Sequence, residues 1–169
     1  MSGGEERIGG ASERRVKTSP LVELLAELRS VVLAHATDAL GRARLAHYEA
    51  VGTATSRRRL SNLLAIVTRC LLERDLGPIT VFAEAVAEDR YAAGFDIAEV
   101  QVAFNVLEEA IWRVVLPRLP VEQLADAAGL TGTILGAGKD TLARTWVSLA
   151  TRHHAPSLDL AALFEGAGA

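Results

Sequence analysis

The chain has 169 residues, half of them hydrophobic and 23% charged, a length that fits one domain with a core needing no disulfide or metal. Its formal net charge of -3 argues against a general nucleic-acid binder, and its single cysteine excludes an internal disulfide framework and suits a reducing, cytoplasmic compartment. The 29 alanines and 24 leucines are strong helix formers, aromatics make up only 5%, and alternating β-branched runs are missing, so an all-α fold is expected.

Residues 1–18 carry two glycine pairs among Ser, Glu and Arg and read as a disordered leader. That stretch is acidic at its start and has no apolar run, so it does not resemble a secretory signal. No apolar stretch in the chain approaches the roughly 18 residues needed to cross a bilayer. The first helix opens at Ser19-Pro20, a good cap followed by a proline at the first helical position. Leu21, Leu24, Leu25, Leu28, Val31 and Val32 form one apolar stripe at helical spacing. The pattern predicts a helix to about Ala50, with Gly52 as its stop.

A second helix is expected from Ser56, carrying Leu60, Leu63, Leu64, Val67 and Leu71 inward. Gly77-Pro78 ends it and opens a third, with Ile79, Phe82, Ala83 and Val86 on the core side and Glu84, Glu88 and Asp89 in water. Gly94 breaks that helix. The fourth has the clearest start in the chain: Asp96 can cap, Glu99 stands three residues on as in a capping box, and Phe95 and Val100 occupy the staple positions. Ile97, Val100, Phe104, Leu107, Ile111 and Val114 continue it until Pro117 and Pro120.

The fifth helix is expected from Val121 to about Arg152. Leu124, Ala128, Thr131, Leu135, Gly138, Leu142, Thr145 and Leu149 keep a seven-residue repeat over nearly four heptads. Four glycines between 129 and 138 weaken it, by about 1 kcal/mol each relative to alanine. One long helix is the favoured reading and two shorter helices the alternative. A stripe of that length also suggests a homodimer, with Thr131, Leu135, Gly138 and Leu142 near a two-fold axis; the inner face of a monomer is the other reading. The remaining residues, 153–169, read as a tail.

Catalytic and metal-binding patterns do not assemble. Gly136-Ala-Gly-Lys-Asp-Thr resembles a phosphate loop only superficially, because Thr133 stands where the first glycine should be and Asp140 where Ser or Thr should be. His35, His47, His153, His154 and Cys70 show no metal-ligand spacing. No histidine lies between Tyr48 and Arg152, so the middle helices offer no imidazole to a haem. There is no Gly-x-Ser-x-Gly elbow. Glu108-Glu109, Glu88-Asp89 and the cluster Arg57-Arg58-Arg59 read as solvated helix faces, with an anionic partner as the lesser reading of the arginines. No enzyme activity, cofactor or metal is therefore expected.

The stretch from Phe82 through Arg90, Tyr91, Gly94, Asp96 and Glu99-Val100, followed by Phe104, Leu107, Ile111 and Trp112, resembles the N-terminal domain of the RsbR-type stressosome proteins. The positions that carry the resemblance are Arg90, Gly94, Glu99-Val100 and Trp112, and it spans about residues 20–152. It implies a single globin-like bundle of about five helices with a long C-terminal helix, lacking haem and usually dimeric. It further implies a sensory or interaction domain, over residues 19–152, that signals to a regulatory protein partner; the acidic charge and the lack of a long apolar run leave nucleic acid and membrane out of the expected partners. A bundle with one long heptad helix suits relaying a signal through helix packing. The alternative is a ligand-binding bundle with Tyr91, Phe95, Phe104 and Trp112 around a pocket.

Overall fold

The computed structural model describes residues 19–154; the leader expected over 1–18 and the tail from 155 onward lie outside the described residues. Among the described residues the chain forms seven α-helices, two 3-10 turns and no strand. The helices are α1 (Pro20–Glu27), α2 (Arg29–Arg42), α3 (Ala46–Val51), α4 (Thr53–Glu73), α5 (Gly77–Ala92), α6 (Ile97–Val114) and α7 (Leu124–His154). The all-α bundle expected from composition is what the chain builds. None of the helices is long and apolar enough to cross a membrane.

The expected first helix is three. It breaks at Leu28, whose carbonyl accepts from Val31 at 3.0 Å in a tightened turn. The junction is held by Arg29, which donates to the Ser61 hydroxyl at 2.7 Å and carbonyl at 3.2 Å on α4. That tertiary anchor leaves no local mark in the apolar stripe, and Val31, expected inward, is exposed at the bend. The second break is at Arg44, which takes a left-handed conformation with φ 50°. It swings Tyr48 of α3 into the core. Gly52 ends α3, as its position suggests. The next helix starts a turn before the expected Ser56, whose hydroxyl bonds back to the Gly52 carbonyl at 3.1 Å instead of capping.

The helices α4, α5 and α6 follow their apolar periods. Leu63, Leu64, Val67, Val100, Phe104, Leu107 and Ile111 are buried. Leu71, Phe82 and Val86, also expected inside, are only half-buried and pack against the core from its edge. The α4–α5 turn places Arg74 in a left-handed conformation at φ 53°. An L side chain is strained there, by about 1–2 kcal/mol. Arg74 is exposed, and among the described residues its side chain forms no hydrogen bond or ion pair. Arg74→Gly should therefore stabilise the chain by about 0.5–1 kcal/mol, net of glycine's larger freedom when unfolded; urea unfolding reads the change.

Asp96 caps α6 as expected, accepting from the Ala98 amide at 2.7 Å. The reciprocal half of the capping box does not form, because Glu99 is drawn to His47 across the bundle. Phe95 and Val100, the staple pair, are both buried. Asp96→Ala should cost about 1 kcal/mol in chemical denaturation, the usual effect of losing a side-chain cap.

The helix α7 is one unbroken run of 31 residues, continuing through all four glycines and past the expected end to His154. It packs most extensively on α5 and also on α6 and α4, while α2 lies against α6 and α4. The seven-residue stripe is its inner face. Thr131, Leu135 and Leu142 have no solvent exposure, and Gly138 abuts Phe104 and Ile79. The placement of a dimer axis on Thr131, Leu135, Gly138 and Leu142 is thereby corrected: three neighbouring helices of the same chain already cover that stripe.

Candidate functional site

The four aromatics expected around one pocket are dispersed. Trp112 points out of α6 and is 48% exposed. Tyr91 leaves the group to meet Trp146 of α7 edge-on, ring centres 5.4 Å apart. Phe104 is buried at the centre of the bundle, and Phe95 is buried at the α5–α6 turn. Only these two stay near the features that follow.

The turn itself is dictated by Gly94. Its φ of 77° is open to glycine and strained for other residues, and it lets the Phe95 amide reach back to the Arg90 carbonyl at 3.0 Å. This closure drops the Phe95 ring inward beside α3 and α4. His47 of α3 stacks on that ring at 4.5 Å between centres, and Tyr48 meets it edge-on at 5.7 Å. The His47 Nδ1 lies 2.6 Å from Glu99 Oε2, which ties α3 to the first turn of α6.

Two guanidinium groups converge on the same ring. Arg90 of α5 sits with its Cζ 5.4 Å from the Phe95 centre, and Arg59 of α4 with its Cζ 5.6 Å away. Arg59 also stands 6.0 Å from the centre of Tyr48. Cations on aromatic faces are stabilised by about 0.5–2 kcal/mol each. Arg90 pairs with its neighbour Asp89. Arg59 makes no ion pair among the described residues, and its Nη1 is buried without a hydrogen-bond partner. A buried donor left unmatched costs about 1–3 kcal/mol, more when charged. Burial, and next the nearby Arg90 charge, hold the Arg59 pKa below its ordinary value. Burial also pushes the Tyr48 phenol up, against the pull of Arg90 and Arg59.

Beside these groups opens a cleft of about 210 Å³ between α4, α5 and α6. Tyr48, Arg59, Arg90 and Asn62 supply its polar groups, and Leu60, Leu63, Phe82, Val86, Val100 and Phe104 its apolar walls. This explains why Phe82 and Val86 are only half-buried: they face the cleft. A second hollow, about 310 Å³, lies on the other side of Tyr48 among α2, α3 and α4. Two of its hydroxyls are already engaged, since Thr37 donates to the Leu33 carbonyl at 2.6 Å and Ser56 to that of Gly52, and no arginine lines it. The cleft with the unmatched arginine is the better candidate.

Sequence reading missed Arg59 because it stands in a run of three arginines. Arg57 and Arg58 are exposed, but Arg59 turns inward. The signal was there: Arg59 follows Ser56 by three and precedes Leu63 by four, which places it on the buried stripe of α4. His47 and Glu99 carried no joint signal, being 52 residues apart. The lysine of the apparent phosphate loop, Lys139, lies inside α7 and donates to Asn105 at 3.1 Å and Glu108 at 3.0 Å on α6. Among the described residues no group of three or more His, Cys, Asp or Glu could hold a metal ion.

No family model matches the chain, and no curated protein matches it.

Proposed function

We propose that this chain is a non-enzymatic regulatory domain, similar in kind to the RsbR-type sensors, in which the cleft is the input and α7 the output. The observation that carries this reading is the place of Phe104. Its ring walls the cleft, and its Cε1 also lies where a Cβ on Gly138 of α7 would be only 2.8 Å away. A side chain seated in the cleft on one side and packed against a glycine backbone on the other transmits displacement, because close-packed interiors move between discrete packings and do not yield continuously. Arg90 and Tyr91 add a second connection, through the contact of Tyr91 with Trp146.

The resemblance supplies the rest of the proposal: two chains pair in the cytoplasm and hand the signal to a regulatory protein. The pairing surface is not the 131–142 stripe and must use the outer face of the bundle, where Val81, Val121 and Val147 are exposed. Sedimentation of wild type and Ala103→Leu, across a dilution series, tests the proposal. Ala103 lines the cleft, so leucine fills part of it. The wild type is expected at twice the 18.0 kDa chain mass, with the dimer constant altered in the variant. A monomer at every concentration removes the pairing, and an unaltered constant removes the coupling.

A second reading, a ligand-binding bundle with no output, is favoured by the cleft alone. It predicts that filling the cleft leaves α7 and the association state untouched.

A further inference from the structure

The cleft has the chemistry of a receptor for one kind of molecule. Its lining carries two cations, Arg59 and Arg90; Arg59 has no ion pair among the described residues, and its buried Nη1 has no hydrogen-bond partner. The carboxylates nearby do not answer it. Asp89 pairs with Arg90 Nη1 from an exposed position, and Glu99 is taken by His47. A guanidinium has five N–H donors, so Arg90 keeps free donors after pairing with Asp89. Apart from the Asn62 amide and the Tyr48 hydroxyl, the remainder of the wall is apolar, with Leu60, Leu63, Phe82, Val86, Val100 and Phe104 giving most of it. Inorganic phosphate would satisfy the arginines and leave that wall facing water. A neutral hydrocarbon would cover the wall and leave Arg59 unmatched.

We propose that the cleft binds a small amphiphilic monocarboxylate, its carboxylate held by Arg59 and Arg90 and its aromatic or branched aliphatic body seated against Phe82, Val86 and Phe104. The size follows from the cavity. A cavity of about 150 Å³ holds benzene, so 210 Å³ accommodates a benzoate-sized molecule. A single carboxylate suits the pair of arginines, because Asp89 already pairs with Arg90 and Arg59 has no ion pair among the described residues. The ring faces of Tyr48 and Phe95 hold the Arg59 guanidinium in place before the ligand arrives, so little side-chain freedom is lost on binding. This inference rests on the cleft being the input site proposed above, and it names the class of input.

Titration calorimetry on the full chain tests it, with benzoate as the probe and benzamide as its neutral isostere. Benzoate should bind one per chain and at least tenfold more tightly than benzamide, and Arg59→Met should weaken it by roughly 10- to 100-fold, the range of a charge-assisted hydrogen bond. Arg57→Met, at an exposed neighbour, should leave binding unchanged. If Arg59→Met does not fold, Ala103→Leu decides in its place: occluding the cleft must abolish benzoate binding. Equal affinity for benzoate and benzamide, binding of inorganic phosphate in preference to benzoate, binding unaffected by either cleft variant, or no binding of benzoate overturns the inference. The emission of Trp146, recorded in a Trp112→Phe background, separates the two proposals. Binding without a change in that emission keeps the carboxylate site and rejects its coupling to α7. A change in emission on filling the cleft by Ala103→Leu, with no benzoate bound by the wild type, keeps the coupling and rejects the carboxylate.

Discussion

Phe104→Ala is expected to destabilise the chain by about 3–5 kcal/mol, the transfer term of a buried phenylalanine plus the cavity it leaves. Phe104 is 2% exposed, abuts the α7 backbone at Gly138 and shares the cleft wall with residues of α4 and α5. Much of the hydrophobic stabilisation meets at this residue, and a small domain has only about 5–15 kcal/mol of net stability to lose. Urea unfolding should show a lower midpoint with an unchanged slope, the mark of a native state that is weaker but equally compact. Because the ring walls the cleft, the same variant should also enlarge it.

Gly138→Val should also destabilise the chain, by less and for the opposite reason. A Cβ at this position would approach Phe104 Cε1 to 2.8 Å and Ile79 Cγ1 to 2.9 Å, and both side chains are fully or almost fully buried. Valine adds two further carbons to that contact. Overpacking of this kind costs about 1–3 kcal/mol and sometimes more, which exceeds the gain of up to about 1 kcal/mol from replacing a helical glycine. The control is Gly136→Ala, two residues away in the same helix. A Cβ there meets nothing within 4 Å, so helix propensity alone acts and the chain should gain about 0.5–1 kcal/mol. Opposite signs at the two positions, measured in the same urea series, would establish that α7 approaches α5 and α6 at Gly138 by design of the sequence and that the other glycine is incidental. Equal responses would mean that α7 does not sit against Phe104.

Period and punctuation in the sequence foretell most of the bundle. Gly52, Gly77-Pro78, Gly94 and Asp96 mark real boundaries, and the seven-residue repeat of 124–149 is one helix. The breaks at Leu28 and Arg44 were invisible for a physical reason. One is fixed by Arg29 reaching Ser61, and the other puts a left-handed bend on an arginine where glycine or asparagine would have announced it. The same limit applies to α7: a heptad stripe says that a face is covered, and only the packing of α4, α5 and α6 says by what. The site was legible in part. Of the four aromatics expected around a pocket, Phe95 and Phe104 lie near or on the cleft, whereas Tyr91 and Trp112 point elsewhere. Arg59 was hidden by its neighbours in sequence, since a run of charges reads as solvated unless each member is placed on its helix face.

The connection from cleft to α7 through Phe104 and Gly138 is the centre of the account, and residue-resolved amide hydrogen exchange measures it most directly. The wild type and Ala103→Leu are compared under conditions where circular dichroism shows both equally helical. The account predicts altered protection in α7 around Leu135–Leu142, where Gly138 meets Phe104, with the first turns of α7 unchanged. Unaltered protection along the whole of α7, in a variant whose cleft is filled, would contradict it.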